Sequence, residues 1–324
     1  MEHSRVFGLV CLVLAALLWS CTPVFVKHFA KQVIPETGRP IDPDVQNLFR
    51  YASGAMALWL MVAAKFRGEA LRGCRRWRVL LMPVAINCIF QVVFVQALYI
   101  RTIYPAFTSL LSQTSVVFAV ALAFALFPDE RRRIRSWRYA AGALLAFLGV
   151  AGVIVFDPRA AASAEAGARA DLSRGAALIL VQSFLWGSYT VAMKRLVREV
   201  RPIVAFAFVA TLTSIFFLVL ACVRSDPRQF FWIGLRDQIL MVISGIGFIA
   251  VTHSLYFRAV ERLGVGVCAP FLLVTPLATG LISWAWHGER LAHMQIFMGA
   301  VLLAGALLVV LAARVENDAP GPGR

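Results

Sequence analysis

Runs of about twenty apolar residues recur along the whole chain, and each is long enough to cross a bilayer core of roughly 30 Å. Charged residues, Pro or Gly separate these runs. Lipid cannot satisfy exposed backbone amides, so every run is predicted to be helical. The pattern predicts ten spans, at residues 6–26, 45–64, 79–100, 104–127, 137–156, 174–193, 202–223, 237–257, 264–286 and 293–313.

One sequence pattern occurs twice, about half the chain apart. Residues 18–27 read LWSCTPVFVK and residues 185–194 read LWGSYTVAMK, so both copies place Trp before small or hydroxyl residues and end on Lys. Residues 96–101 (QALYIR) match residues 253–258 (HSLYFR) in the same way. These matches predict that the chain is one unit duplicated.

The duplication predicts the topology. Five spans per repeat is an odd number, so the second repeat must be inverted relative to the first, as in many secondary transporters. The first repeat is predicted over residues 1–157, a linker over 158–173 and the second repeat over 174–324. The predicted fold is therefore an all-α integral membrane protein with ten transmembrane helices in two inverted five-helix repeats.

Basic residues between the spans predict the orientation. With the N-terminus inside, the cytoplasmic connections hold 20 Lys and Arg residues and the external connections hold 11. Cytoplasmic loops are enriched in Lys and Arg, so both termini are predicted in the cytoplasm and the linker outside. The predicted location is the inner (plasma) membrane.

Composition excludes several other classes of protein. With 60% hydrophobic and 15% charged residues, the chain is too apolar for an ordinary soluble domain. The net charge of +15 would suit nucleic-acid binding, but the basic residues form short clusters between apolar runs, so no nucleic-acid partner is predicted. The six cysteines form no CxxC pair, and no metal or other cofactor is predicted.

The ordered motifs resemble those of a drug/metabolite transporter of the EamA type. The resemblance rests on the Leu-Trp start of spans one and six, the Leu-Tyr pair of spans three and eight, and Thr275-Pro276 thirteen residues before Gly288-Glu289-Arg290. It implies a ten-helix inverted-repeat fold with a central cavity lined by spans 1, 3, 4, 6, 8 and 9. It also implies export or exchange of small metabolites.

Span four departs from this pattern. Val117 stands where the second repeat has Pro276, and Phe127-Pro128-Asp129 replaces the His287-Gly288 approach to Glu. The departure predicts a less kinked fourth helix.

Polar side chains near mid-membrane are costly in lipid and are candidates for function. Gln113 and Thr114 lie near the centre of span four, and Thr275 near the centre of span nine. Pro23 and Pro276 each remove a helix hydrogen bond and are predicted kink or gating positions. The alternative is interhelical hydrogen bonding, at about 1 kcal/mol per contact. The predicted substrate-binding residues are Trp19, Thr22, Gln96, Tyr99, Gln113, Thr114, Gln182, Trp186, Tyr189, His253, Tyr256 and Thr275.

Four side chains leave two interpretations open. Trp19 and Trp186 lie near mid-span, where each ring can stack on an aromatic or cationic ligand or simply pack. His253 is either a proton carrier or a neutral side chain bonded between helices. Arg50, in the first turns of span two, either extends to the outer interface, the favoured interpretation, or offers a cation to an anionic substrate.

Small residues line spans five and ten, at Gly142, Ala146, Gly149, Gly152, Gly299, Ala300, Ala304 and Gly305. Such stripes mark close helix packing, so both spans are assigned to a scaffold or to a homodimer contact.

These features predict a secondary transporter, an exporter or exchanger of small metabolites or drug-like compounds, working by alternating access. No carboxylate falls in the middle of a span, which favours facilitated transport over proton coupling. The sequence has no Walker A loop and no catalytic constellation, so an enzyme is not predicted. A membrane-embedded enzyme and a non-transporting sensor or scaffold are the alternatives.

Overall fold

The computed structural model describes residues 2–66, 68–69, 77–126, 137–158, 166–196, 200–263, 268 and 271–315, which are almost entirely helical. A short β-hairpin, β1 (Val33–Ile34) and β2 (Arg39–Pro40), is antiparallel and connects the first two helices. The helices are α1 (Glu2–Lys31), α2 (Pro43–Lys65), α3 (Trp77–Tyr99), α4 (Pro105–Ser112), α5 (Ser115–Leu126), α6 (Trp137–Val155), α7 (Ala166–Leu196), α8 (Pro202–Arg224), α9 (Gln229–Trp232), α10 (Leu235–Gly245), α11 (Thr252–Leu263), α12 (Thr275–His287) and α13 (His293–Val315).

Eight helical segments among the described residues are long and apolar enough to cross a membrane. They are Arg5–Lys31, Arg78–Tyr99, Pro105–Ala123, Trp137–Val155, Arg169–Met193, Pro202–Arg224, Leu235–Leu263 and His293–Ala312. The chain is therefore a multi-pass membrane protein. Neither α2 nor the 13-residue α12 is among the eight, so the ten-span count stays a prediction.

Local chemistry explains where several helices begin and end. The Asp42 side chain accepts a hydrogen bond from the Asp44 amide at 2.8 Å, and Pro43 fills the first position of α2, where no amide is needed. At the C-terminal end of α12, Gly288 has a φ of 66°, the left-handed conformation in which glycine ends a helix at low energetic cost.

Predicted spans five and ten correspond to α6 and α13, which pack along each other. A Cβ atom on Gly142 would lie 2.8 Å from the Gly305 carbonyl oxygen, and one on Gly149 would lie 2.5 Å from the Leu302 amide. Only glycine allows the backbones to approach so closely. The small-residue stripes are thus used for packing between these two helices of the same chain.

The remaining long helices pack mainly across the two predicted repeats. Along the described chain, α1 packs against α11 and α12, while α7 packs against α3, α4 and α5. Helix α2 packs against α8. The first long helix of each predicted repeat therefore contacts elements of the opposite repeat.

Predicted span four is interrupted, which corrects the expectation of a less kinked fourth helix. Helix α4 ends at Ser112 and α5 begins at Ser115, with Gln113 and Thr114 in a turn between them. Hydroxyl groups satisfy the carbonyls at this break: Ser112 Oγ donates to Thr108 O at 2.7 Å, and Thr114 Oγ1 donates to Leu111 O at 2.8 Å. Such local bonds compete with the helical pattern, so no proline is needed to break the helix.

Predicted spans eight and nine are irregular as well. A π-helical segment, Ile246–Val251, joins α10 to α11, and Thr252 Oγ1 donates to the carbonyl of Gly247 at 2.8 Å. A 3₁₀ turn, Leu272–Val274, precedes α12, and Pro276 lies in the first turn of that helix, where proline is tolerated. By contrast, α1 is one helix despite Pro23 in its interior.

Candidate functional site

The two interrupted spans meet at their interruptions. Gln113 Nε2, at the break between α4 and α5, donates to Thr275 Oγ1 at 3.3 Å. Thr275 Oγ1 in turn donates to the carbonyl of Leu272 at 2.7 Å, and Ser20 Oγ of α1 lies 3.2 Å from the Thr275 carbonyl oxygen. The structure thus brings together two residues that sequence analysis assigned to the site, at a point where three chain segments converge.

An aromatic cluster lies on the α1 side of this junction. The Trp19 ring centroid is 5.1 Å from that of His253, edge to face, and 5.1 Å from that of Tyr256. The His253 ring stacks on Phe206 at 3.8 Å. Trp19 therefore contacts two other predicted site residues, His253 and Tyr256.

His253 has its orientation set by one hydrogen bond. Its Nδ1 lies 2.7 Å from the carbonyl oxygen of Ile249, one turn earlier. A carbonyl can only accept, so Nδ1 carries the proton and, in the neutral ring, Nε2 is the acceptor. The stacked rings and this bond hold the imidazole between α8, α1 and its own helix.

The counterpart cluster surrounds Trp186 on α7. Its ring centroid is 5.3 Å from that of Tyr189, nearly parallel, and 5.1 Å from that of Phe90. The Tyr189 hydroxyl is buried and has no hydrogen-bond partner among the described residues. Gln96, which matches His253 in the repeat, is half-buried on α3.

Four other predicted site residues have varied surroundings. Gln182 Oε1 accepts from Ser112 Oγ at 3.0 Å, and Thr114 bonds within its own turn. The Tyr99 hydroxyl lies 2.9 Å from Ile41 O and 2.8 Å from Gln46 Oε1, so it contacts the segment that leads into α2. Thr22 Oγ1 is buried without a partner in the described part of the chain.

Arg50 does not extend to the interface, which corrects the favoured interpretation of the sequence. Its side chain is only 2% exposed, and its Nε and Nη1 atoms have no hydrogen-bond partner among the described residues. A buried charge without a partner costs several kcal/mol. Sequence analysis also missed the buried Gln46 and Asn47, one turn earlier on the same helix, although their spacing from Arg50 is a usable signal.

Two charged side chains outside the predicted set join the helices near the β-hairpin. The buried Lys27 Nζ donates to the carbonyl oxygens of Leu98 at 2.9 Å and Ile100 at 2.8 Å, at the C-terminus of α3. Glu289 accepts from the amides of Ala106 at 2.9 Å and Phe107 at 3.3 Å, at the N-terminus of α4. Each charge has the sign that complements the helix dipole.

In the repeat, Lys194 matches Lys27 and Glu130 matches Glu289. The Lys194 side chain and Glu130 lie outside the described residues.

Contacts of α1 with α10, α12 and the π-helical segment also join the helices near the β-hairpin. His28 Nε2 lies 3.0 Å from Asp237 Oδ1, and His287 Nε2 lies 2.9 Å from the Val24 carbonyl oxygen. The Phe25 ring also contacts Phe248 at 4.9 Å between centroids.

Among the described residues, no group of three or more His, Cys, Asp or Glu side chains is arranged to hold a metal ion.

Comparison with known proteins gives consistent results. The family model described as the EamA-like transporter family matches residues 6–155 and 173–311. A relative from Haemophilus influenzae, named "Uncharacterized transporter", is 23% identical over 278 residues, which cover 82% of this chain and 86% of the relative. A solved crystal structure matches with a TM-score of 0.63 and 18% identity over 96% of this chain and 99% of the other, a likeness of fold alone.

Proposed function

Because the chain belongs to the EamA-like transporter family and is a membrane transporter, we propose that it is a secondary transporter of small metabolites or drug-like compounds. It exports or exchanges them by alternating access around a midplane cavity. The substrate contacts are made by the junction of Gln113 and Thr275 and by the two Trp clusters.

The facing interruptions in spans four and nine carry this proposal. Discontinuous helices at the interface of two repeats are a recurring way to build a transporter binding site. Here the breaks are joined by one hydrogen bond of 3.3 Å between Gln113 and Thr275. A neutral bond of this kind is weak enough to exchange for a substrate contact.

The ten-helix, inverted-repeat topology is part of the proposal. It is supported by two separate matches to the family, at 6–155 and 173–311. The reciprocal packing of α1 on α11 and α12 and of α7 on α3, α4 and α5 is what a pseudo-two-fold axis would produce. A plasma-membrane location with both termini in the cytoplasm completes the topology.

The contacts of α1 with α10 and α12 are proposed as one gate. His28–Asp237 and His287–Val24 join elements of opposite repeats, so a rocking motion of one repeat against the other would separate them. The glycine-lined packing of α6 on α13 stays as the scaffold. A homodimer through these two helices would use their outer faces, where Leu144 and Leu148 are exposed.

Facilitated export or exchange is proposed over proton coupling. The His253 ring is packed against Phe206 and Trp19 and bonded to the Ile249 carbonyl, which supports a role in helix packing or ligand orientation.

The test begins with metabolite profiling of cells with and without the protein, followed by uptake of the responding compounds into vesicles. Gln113→Ala and Thr275→Ala should each lower uptake roughly 5-fold or more, since loss of one hydrogen bond costs about 1 kcal/mol. Thr190→Ala is the control, because Thr190 is exposed on α7 and bonds only its own helix at Trp186 O. Normal uptake in both site variants, or no uptake by wild type, would contradict the proposal.

A further inference from the structure

Arg50 is the one described side chain whose buried guanidinium nitrogens lack partners. It lies in the eighth position of α2 and is 2% exposed. No Asp or Glu of the described residues lies within ion-pair distance of it. Guanidinium groups stay protonated in proteins, so burial cannot be relieved by neutralisation.

The acidic residues nearby are engaged elsewhere. Asp42 accepts the amide of Asp44 as the cap of α2, and the Asp44 carboxylate lies 3.5 Å from Arg224 Nη1. Asp237 lies 3.0 Å from His28. Charge compensation for Arg50 therefore has to come from outside the described chain.

Neighbouring polar groups are unpaired as well. Gln46, one helical turn before Arg50 on the same face, is fully buried and its Nε2 has no partner among the described residues. The Asn47 Oδ1 is also unpaired, but a neutral amide oxygen does not cancel a charge. The unpaired donors of Gln46 and Arg50 form a set that an anion would satisfy.

The surroundings connect this set to the proposed transport site. Tyr51 follows Arg50 on α2, and the hydroxyl of Tyr99, which belongs to the repeated Leu-Tyr motif, donates to Gln46 Oε1 at 2.8 Å. Tyr51 packs in the same buried cluster as Tyr189 and Trp186. Arg50 is thus adjacent to one of the two aromatic clusters.

We propose that Arg50, with Gln46, binds an anionic group of the transported substrate, a carboxylate or a phosphate. The inference rests on the proposed transport function and assigns the substrate class. The anionic group would accept hydrogen bonds from Arg50 Nε and Nη1 and from Gln46 Nε2, which have no partner among the described residues, and it would balance the charge of the guanidinium.

Binding to the purified full-length protein tests the site directly. The probes are benzoate, phenyl phosphate, inorganic phosphate and chloride, with benzamide as the neutral twin of benzoate. Benzoate or phenyl phosphate should raise the unfolding midpoint of the wild type while benzamide does not. Arg50→Gln should weaken binding about 30-fold or more, and Arg50→Lys should restore part of it. A response to benzoate alone assigns a carboxylate substrate, and a response to the phosphates alone assigns a phosphorylated one.

Gln46→Glu gives an independent test that does not remove the arginine. The new carboxylate lies one turn from Arg50 and keeps the oxygen that accepts from Tyr99, so an internal ion pair should form. Its unfolding midpoint should rise and its anion binding should disappear. Arg224→Gln is the matched control, since it removes a half-exposed charge near the same end of α2 and should bind anions as the wild type does.

Several results would overturn the assignment. These are equal shifts by benzoate and benzamide, unchanged binding in Arg50→Gln, a lower midpoint in Gln46→Glu, or an Arg50-dependent shift by chloride alone. Vesicle uptake separates this inference from the transport proposal. If an anion binds through Arg50 but no compound crosses vesicles, the transport proposal fails and the anion site stands. If uptake occurs equally in wild type and Arg50→Gln, the anion inference fails and transport stands.

Discussion

Replacing Glu289 should destabilise the protein, because this carboxylate caps a helix from a distant part of the chain. Helix α4 begins with Pro105, and Tyr104 at its N-cap position makes no side-chain capping bond. The amides of the next two residues, Ala106 and Phe107, are buried and donate to Glu289 Oε2 at 2.9 Å and Oε1 at 3.3 Å. Ser283 Oγ also donates to Oε2, at 2.6 Å.

The geometry allows the cost to be estimated for two substitutions. Glu289→Ala leaves two buried amides without an acceptor, at about 1–3 kcal/mol each, so a loss of roughly 4 kcal/mol is expected. Glu289→Gln can keep a carbonyl oxygen at the Oε2 position, but its amide nitrogen then faces the Phe107 amide and the charge is lost. A loss of about 2 kcal/mol follows, in the range of favourable charge–dipole interactions.

Thermal unfolding of the purified protein in detergent measures this prediction. Glu289→Ala should lower the midpoint by roughly 5–10 °C and Glu289→Gln by about half as much. Glu289→Asp keeps the charge and should lie between Gln and wild type. Glu261→Gln is the control, because Glu261 is exposed on α11. An unchanged midpoint in Glu289→Ala would refute the capping argument, as would equal losses in Ala and Asp.

Three further predictions concern transport and topology. Trp19→Ala and Trp186→Ala should each reduce uptake about 10-fold or more with normal expression, since each removes ring contacts at the proposed site; loss of expression with normal uptake per molecule would instead indicate packing. In vesicle uptake, an imposed pH gradient should not drive substrate accumulation by the wild type or by His253→Gln, a variant that introduces the residue type found at position 96. Substrate accumulation by the wild type alone would make His253 the proton carrier. Reporter fusions at the termini should give cytoplasmic signals and a tag within 158–173 an external one, and a periplasmic signal from the C-terminus would contradict the topology.

The sequence alone predicted the helical membrane class, because that class depends on local composition. A long apolar segment in lipid must form a helix to satisfy its backbone hydrogen bonds, so the apolar runs were sufficient to predict this class. The family followed from short motifs in order, and the match over 6–155 and 173–311 confirms it. The sequence placed Trp19, His253 and Tyr256 in one predicted site but did not predict that their rings touch. A sequence repeat shows which positions correspond, and it carries no information about ring geometry.

The tertiary structure decided what depended on partners far apart in the chain. Span four was expected to be straighter because it lacks a proline, yet hydroxyls of Ser112 and Thr114 satisfy its carbonyls and allow the break at Gln113. Arg50 was expected near the interface because it lies close to the start of a span. Its burial depends on α2 lying against α8, α10 and the π-helical segment, which no local pattern specifies.

Glu289 shows both what the sequence predicts and what only the tertiary structure decides. Its position at the close of span nine is visible in the sequence, but its partners, Ala106 and Phe107, lie more than 180 residues earlier. Hydropathy is a sum over neighbours along the chain and therefore predicts which segments enter the membrane. A buried charge is stabilised by the groups that the folded chain brings next to it. Only the three-dimensional arrangement shows that Glu289 has such groups among the described residues, whereas Nε and Nη1 of Arg50 have none.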